Sequence, residues 1–540
     1  MKKKIVLPLI AFVIALGTWS FKSDFFEIAK QIEIFTTLYK EVNMNYVDET
    51  VPAELMNNAI KGMLEQLDPY TVYYNEQDVV EARINQTGSN TGIGASVRAQ
   101  KEKLIIIEPW KEGPADKAGL KAGDEIVKIG DVTVASFDDN AGELLRGAPG
   151  SEVTVTYRRL GKTQTATLTR AALTEKAVPF YTLMQGNVGY IVLSAFNPKT
   201  TTETRAALVE LKKQGATSIV LDLRGNPGGL MRESINIVNL FVPKGEIIST
   251  TKSNIEKYNQ TFRTSFEPVD TEIPLVVLIN GRSASASEIV SGAIQDLDRG
   301  VIVGARSFGK GLVQRPKKLT YGTQIKVTIS KYYTPSGRCI QAEDYFNRDE
   351  FGDPIRATPD TFNEFKTKGG RTVYDGGGIL PDVELPTAVF SPITTALLKA
   401  NSIFDFATEY YYKNQHSDWK NFRFSEKDYN DFLSYLNRTN FTFETETESL
   451  LNTAIKKAEE ENIKQDIEKS YNALLQDISR AKDRELQDKK AEIMSLLSDE
   501  IIKRYFYREG LYEYQVVNNP EIKEAVAILK DANRYQRILK

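Results

Sequence analysis

The 540-residue sequence predicts a multidomain α+β protein, with an α/β core, a compact β-rich unit ahead of it and helical regions at both ends. Three observations lead there. The length exceeds what one hydrophobic core usually supports. Between about 177 and 386, apolar runs of strand length alternate with helix-length amphipathic stretches, the pattern of parallel crossovers. On either side the texture changes, to short strands and glycine turns before this region and to charged helical text after it.

Residues 1–4 carry three lysines, and 5–19 follow as an apolar run broken by Pro8, Gly17 and Thr18. A basic start and a short apolar stretch read as an export signal. The run is shorter than the roughly 20 residues of a spanning helix. No clear A-x-A site follows, so residues 1–22 are expected to be either a signal peptide or an uncleaved anchor, with the body of the protein outside the cytoplasm.

Residues 23–90 read as a helical region. Phe25, Ile28, Ile32, Phe35 and Leu38 recur at three- and four-residue spacing, and a second helix over 53–67 stops at Asp68-Pro69, because the residue before proline disfavours helix. Within 91–172, strands are expected at 103–108, 125–129, 152–159 and 163–169. The stretch from Gly113-Pro114-Ala115 to Gly123-Asp124 reads as a one-turn helix closed by glycine. Residues 173–386 carry the alternation: strand 188–193, helix 202–214, strand 218–223, helix 230–241, strand 274–279, helix 285–296 and strand 301–304, followed by a half-buried strand at 324–330. Residues 387–540 are helical and charged. Over 454–490 a long helix or helical bundle is expected in preference to a coiled coil, because no heptad persists.

A hydrophobic fraction of 41% and a charged fraction of 26% are ordinary for a globular protein. The net charge of -3 and the lack of a long basic run exclude a general attraction to nucleic acid. A single cysteine, Cys339, excludes an intrachain disulfide and a Cys-x-x-Cys pair. With a single histidine, His416, as well, neither a metal nor another cofactor is expected.

His416 lies in a Tyr-rich stretch far from any Ser-rich turn. A Ser-His-Asp triad needs an imidazole beside its serine, so a Ser-Lys pair is the leading reading. Ser283, Ser285 and Ser287 alternate with alanines just after strand 274–279 and the turn Asn280-Gly281. A serine there is exposed, and the helix behind it offers free N–H groups to an oxyanion. Ser285-x-x-Glu288 also fits a capping box, which requires no catalysis.

Lys310 stands between Gly309 and Gly311. An apolar setting there would favour the neutral amine, and Gln314 is placed to orient it. Gly304 to Lys310 also satisfies the G-x-x-x-x-G-K spacing, but Gly311 occupies the place of the magnesium-binding Ser or Thr. Ser307-x-x-Lys310 matches a penicillin-binding pattern whose spacing recurs at Ser249, Ser417 and Ser479, so it carries no information. The glycine loop from Asp222 to Gly229 offers N–H groups that could complete an oxyanion hole with Ala286, or it is an ordinary strand-helix turn. In Thr91 to Ser96, successive N–H groups could hold a terminal carboxylate while the peptide adds to a sheet edge.

Taken together over about 67–386, these segments resemble the carboxyl-terminal processing, or tail-specific, serine proteases. The matching text is Leu67-Asp68-Pro69-Tyr70, Gly92-Ile93-Gly94, Gly113-Pro114-Ala115 to Gly123-Asp124, Leu145-Arg146-Gly147 to Gly150, Leu221-Asp222-Leu223-Arg224 to Gly229, Ser283 to Glu288, Phe308-Gly309-Lys310-Gly311 to Gln314, Tyr333 to Arg338, and Gly378 to Asp382. The resemblance implies a protease core of crotonase-like α/β fold over 173–386 and a PDZ domain over 91–172. It implies Ser285 as nucleophile, Lys310 as base and Gln314 as the residue that positions the lysine. Ala286 with Gly228 or Gly229 would form the oxyanion hole, and Gly92, Ile93 and Gly94 would bind the substrate's C-terminus.

The expected function is that of an exported serine endopeptidase of the periplasm or cell envelope. It would capture proteins by apolar C-terminal tails and cleave them through an acyl-enzyme. A catalytically inactive PDZ scaffold is the alternative. Arg146, from its place in the Leu-Arg-Gly turn, is expected to couple the PDZ unit to the active site. An adaptor protein, and homo-oligomerisation through the helical terminal regions, complete the expected partners. The chain departs from the family at Tyr70-Thr71-Val72-Tyr73-Tyr74, where His-Ser-x-Tyr text is more usual. Residues 387–540 lie outside the strong motifs.

Overall fold

The structure, a computed structural model, describes residues 25–79, 82, 89–100, 102–137, 140–350, 352–385 and 390–540. The expected signal or anchor segment 1–22 and the expected boundary at 386/387 lie outside the described residues. No helix among the described residues is long and apolar enough to cross a membrane. The chain divides into two units: residues up to Glu76 with Gln314–Thr328, and Gln77–Val313 with Ile329–Lys540.

In the first unit a helix over 25–45 is followed by the helix Pro52–Glu65, which opens on a proline whose fixed φ suits a first turn. Asp68 then turns the chain: its Oδ1 accepts the N–H groups of Tyr70 and Thr71 at 2.8 and 2.9 Å. The turn delivers the strand Val72–Tyr74, which pairs antiparallel with Lys326, Ile325 and Gln324.

The core of the second unit is a six-stranded sheet of β1 (Phe180–Met184), β2 (Val188–Val192), β3 (Ser218–Asp222), β4 (Leu275–Ile279), β5 (Val301–Gly304) and β6 (Val383–Glu384), in that spatial order. β1 is antiparallel to β2; every later pairing is parallel. Strands β2 to β5 are buried along their whole length, as expected of parallel strands covered on both faces. Ile219, Leu221, Val277, Ile279 and Ile302 face the helices α1 (Thr200–Lys213), α2 (Met231–Asn239) and α3 (Ala286–Asp296). Val220, Val276, Leu278, Val301 and Val303 pack the other way, on Ile522, Ala525, Ile528 and Tyr535. The second helical layer of the sheet therefore comes from the last helices of the chain, Pro520–Lys530 and Ala532–Ile538, which fall within the C-terminal helical region expected over 387–540.

Between 89 and 174 an antiparallel sheet is built from Ala95–Gln100, Lys103–Pro109, Glu125–Ile129, Val132–Thr133, Glu152–Arg159 and Lys162–Thr169, with Ala95–Gln100 at one edge. Its own core includes Leu104, Ile106, Leu120, Ile126, Val155 and Leu168. The strands Ser89–Gly92 and Ala171–Thr174 pair at its base. Downstream of 390, helices gather around Phe406, Phe422, Phe432, Ile493, Leu497 and Ile501. Of the long helix or helical bundle expected over 454–490 the structure has two helices, Glu446–Glu460 and Lys464–Asp488, parted where Asn462 adopts the left-handed conformation (φ 61) that ends a helix. The strand Phe180–Met184 and the strand Ile247–Lys252 were not anticipated.

Asp499, inside the helix Lys490–Asn518, is half-buried, and the loss of solvent around it pushes its pKa up from 3.8 to about 6 although Gln515 donates to it at 3.1 Å. A carboxyl raised on folding favours the native state below its unfolded pKa and loses that contribution as pH rises through the folded one. Asp499→Asn is accordingly expected to stabilise the protein at pH 7.5 by up to about 3 kcal/mol. The gain should shrink between pH 6 and 4, as thermal melts at graded pH will register.

Candidate active site

The carboxyl ends of β3, β4 and β5, three neighbouring parallel strands, release three loops: 223–230, 280–285 and 305–311. Such strand ends are where open α/β sheets hold ligands. The middle loop carries the three serines, and their surroundings separate them. Ser283 and Ser287 are fully buried. Ser283 Oγ donates to Leu223 O at 2.8 Å, and Ser287 Oγ donates to Asn226 O at 2.9 Å. Ser285 is half-exposed, at the start of α3, with φ 54 and ψ -110. Positive φ is uncommon for a non-glycine residue, and where it persists the surroundings enforce it. Strain of this kind marks Ser285 as the serine held out from the turn.

What enforces it is Glu288. Ser285 and Glu288 have the arrangement of a capping box, but only the carboxylate's half closes to a bond, Ser285 N–H to Oε2 at 2.7 Å. The same oxygen accepts the N–H of Lys310 at 3.0 Å, while Oε1 accepts Gly309 N–H and Ser307 Oγ, both at 2.6 Å. One fully buried carboxylate thus ties the main chain of the serine turn to the main chain of the lysine loop. Burial pushes the Glu288 pKa up, partly offset by these four hydrogen bonds. Ser307, spoken for by Glu288 and by the N–H of Ile379 at 2.6 Å, is not available as a nucleophile. Sequence reading took Glu288 for a cap; the structure buries it in a helix that is buried at every residue from Ala286 to Asp296.

Glu288→Gln turns an amide NH2 toward two N–H donors. It is expected to cost about 2–4 kcal/mol of stability and to lower turnover at least tenfold with tail binding unchanged. Chemical denaturation with parallel kinetics will test this, and wild-type values in both would remove the clamp from the account.

The third loop partner is the glycine pair. A Cβ on Gly228, which has φ 99, would sit 2.7 Å from Ala284 O, 2.9 Å from Ser285 Cβ and 3.0 Å from Ala286 N, so this position must be glycine for the loop to lie against the serine turn. Gly228 N–H donates to Asn226 Oδ1 at 2.9 Å. The N–H groups of Gly229 and Ala286 meet no acceptor among the described residues. Of the two glycines left open by the sequence, Gly229 therefore has the spare donor. Asn226, buried and not singled out from sequence, also accepts Ala284 N–H at 3.1 Å and donates to Leu193 O at 2.8 Å, pinning the loop to the turn.

Gln314 belongs to the first unit, where its Nε2 donates to Thr328 Oγ1 at 3.2 Å. His416 hydrogen-bonds Tyr410 at 3.2 Å and packs on Phe422 and Tyr505, an aromatic nest that lowers its pKa by burial.

Gly92, Ile93, Gly94 and Arg146 converge on one cleft of about 1000 Å³ counting its open mouth. The edge strand Ala95–Gln100 forms one wall, and the short 3₁₀ helix Ala141–Leu145 stands opposite. Gly94 has φ 67, and a Cβ there would press on Pro114 at 3.0 Å. Ile93 and Gly94 N–H meet no acceptor among the described residues, so two adjacent donors stand at the head of an unpaired strand edge. Leu104, Leu145 and Leu173 give the cleft an apolar part beside the polar Asn140 and Glu143, and Arg146 pairs with Glu143 at 3.0 Å.

Four family profiles match the chain. "Activating protease CtpB N-terminal domain" covers residues 20–78, "PDZ domain" 91–169, "Peptidase family S41" 187–347, and "Probable PDZ-protease, C-terminal helical domain" 393–529. The chain is 36% identical over 319 residues to the carboxy-terminal-processing protease of Bartonella bacilliformis, a match that spans 58% of this chain and 73% of that protein. It is 33% identical over 305 residues to the carboxy-terminal processing protease CtpA of Bacillus subtilis, spanning 56% of this chain and 65% of that protein, just under two thirds. Among solved structures, the photosystem II D1 C-terminal processing protease aligns over 66% of this chain and 88% of its own, with 28% identity and a TM-score of 0.38.

Proposed function

The chain belongs to the carboxy-terminal-processing serine proteases of peptidase family S41, with a PDZ domain and a helical C-terminal region, and from that premise we propose an exported endopeptidase with a Ser285–Lys310 pair. One observation carries the reading: Glu288 ties the strained, half-exposed Ser285 to the loop of Lys310. Ser285 Oγ attacks the scissile carbonyl as the neutral Lys310 amine takes its proton. The oxyanion is met by the N–H groups of Ala286 and Gly229, with Gly228 shaping the loop. The lysine passes the proton to the leaving amine, and a water, deprotonated by the same amine, hydrolyses the acyl-enzyme. Gln314 positions the lysine, and the core is read as crotonase-like.

Substrate proteins enter by an apolar C-terminal tail that adds to the edge strand Ala95–Gln100, its carboxylate on Ile93 and Gly94 and its last side chain among Leu104, Leu145 and Leu173. Arg146, in the same cleft, relays occupancy to the active site. The helix over 25–45 leaves Phe25, Phe26, Ile28, Ile32, Phe35 and Leu38 exposed, which supports self-association through the terminal regions.

A test protein ending in an apolar tail, compared with one ending in two aspartates, is expected to show KM at least tenfold lower. Arg146→Ala should lower kcat while leaving the affinity for a free tail peptide intact. Equal KM for the two tails would remove the cleft as reader.

A further inference from the structure

Arg224 stands two residues beyond β3, at the head of the loop that ends in Gly228 and Gly229. Its guanidinium is shared between two distant parts of the chain. Nε reaches both oxygens of Asp222 at 3.0 and 3.1 Å and Nη2 reaches Oδ2 at 2.6 Å, where Tyr190 also donates its hydroxyl at 2.5 Å. Nη1 turns the other way, to Asn519 Oδ1 at 3.0 Å and to the Glu521 carboxylate.

Asn519 caps the helix Pro520–Lys530, accepting the N–H groups of Glu521 and Ile522 at 3.0 and 3.1 Å. That helix is anchored on the core sheet by Ile522, Ala525 and Ile528. Arg224 is 11% exposed and Glu521 18%, so solvent screens their pairing weakly.

The loop that follows is moored at its far end as well, where Asn226 donates to Leu193 O at 2.8 Å and Gly228 O accepts the N–H of Phe196 at 3.1 Å. Gly225 N–H donates to Asn280 Oδ1 at 3.0 Å, and Asn226 takes Ala284 N–H and Ser287 Oγ. From Arg224 a short, glycine-rich path leads to the groups packed against Ser285.

We propose that Asn519 and Glu521, supplied by the carboxy-terminal helices, are positioning residues for the oxyanion-binding loop. They hold Arg224 and, through it, the placement of Gly228 and Gly229 against Ser285. The proposal rests on the reading of Ser285 as nucleophile and of the glycine loop as oxyanion hole. Neither residue touches substrate. Their effect falls on turnover, because a donor displaced by a fraction of an ångström stabilises the transition state less while substrate capture occurs elsewhere.

The test uses the full chain with Glu521→Gln and Asn519→Ala, and Glu524→Gln as control. Glu524 lies on the same helix and pairs with Arg534. Both test variants are expected to lose about tenfold in kcat on a tail-bearing protein, with KM and tail-peptide affinity within about twofold. The rate of Ser285 labelling by a fluorophosphonate, which draws on the same N–H donors, should fall in parallel, and the control should match wild type. Unchanged kcat and labelling in Glu521→Gln would overturn the proposal, as would an equal loss in Glu524→Gln. Failure of the nucleophile reading itself would show separately, as cleavage that persists in Ser285→Ala.

Discussion

Ser285→Ala is expected to lower cleavage of a protein with an apolar C-terminal tail by roughly a thousandfold or more, while the protein folds as before and still binds the tail. The loss is large because no neighbour can deputise: Ser283 and Ser287 are buried and committed to carbonyl groups of the adjoining loop. The fold is spared for an equally local reason. Alanine at φ 54 is no more strained than serine, and the bond that enforces the conformation runs from the main-chain N–H to Glu288 and survives the change. Measured stability should stay within about 1 kcal/mol of wild type. Residual cleavage at the wild-type rate would end the assignment of the nucleophile.

Lys310→Ala and Lys310→Arg are expected to abolish turnover to a similar degree, again with tail affinity intact. Arginine is the more telling of the two. It keeps the positive charge but cannot give up its proton at working pH, so it serves as an ion-pair partner and not as a base. Activity restored by arginine would assign the lysine a purely electrostatic part. Either variant retains the main-chain bond from residue 310 to Glu288, so a folding defect is not expected to obscure the kinetics. Peptide binding measured alongside separates loss of chemistry from loss of the cleft.

The core strands were legible because fully buried parallel strands read as short, largely apolar runs rich in Val, Ile and Leu, and 301–304 was found to the residue. Helices were found to within a few residues at their ends, where capping and fraying blur any pattern. Which stretch covers the sheet was not legible, although the C-terminal helices read as packing on the core. An amphipathic stretch such as 520–530 announces an apolar face but not the partner of that face, which here lies more than 200 residues earlier in the chain, at Val220, Val276 and Leu278. The break at Asn462 hid in charged text because one left-handed residue is enough to make it.

At the site, the serine segment was visible, but spacing alone could not rank three alternating serines; burial and the sign of φ do. Nothing in the spacing distinguishes Gly228 from Gly229; the structure does, by engaging the N–H of Gly228 with Asn226. Glu288 was hidden by its own plausibility as a cap. Local capping grammar accounts for the residue fully, and its second set of partners, from Ser307 to Lys310, comes from a different loop.

Glu288 grips the peptide nitrogens of residues 285 and 310, bonds that do not depend on which side chains those residues carry. The scaffold is thereby blind to what those two side chains are. A doubly disarmed chain, with alanine at both positions, should keep cleft and catalytic loops as an inert cast of the protease. Such a cast would hold its clients without consuming them, and so offers bait for fishing out the natural substrates.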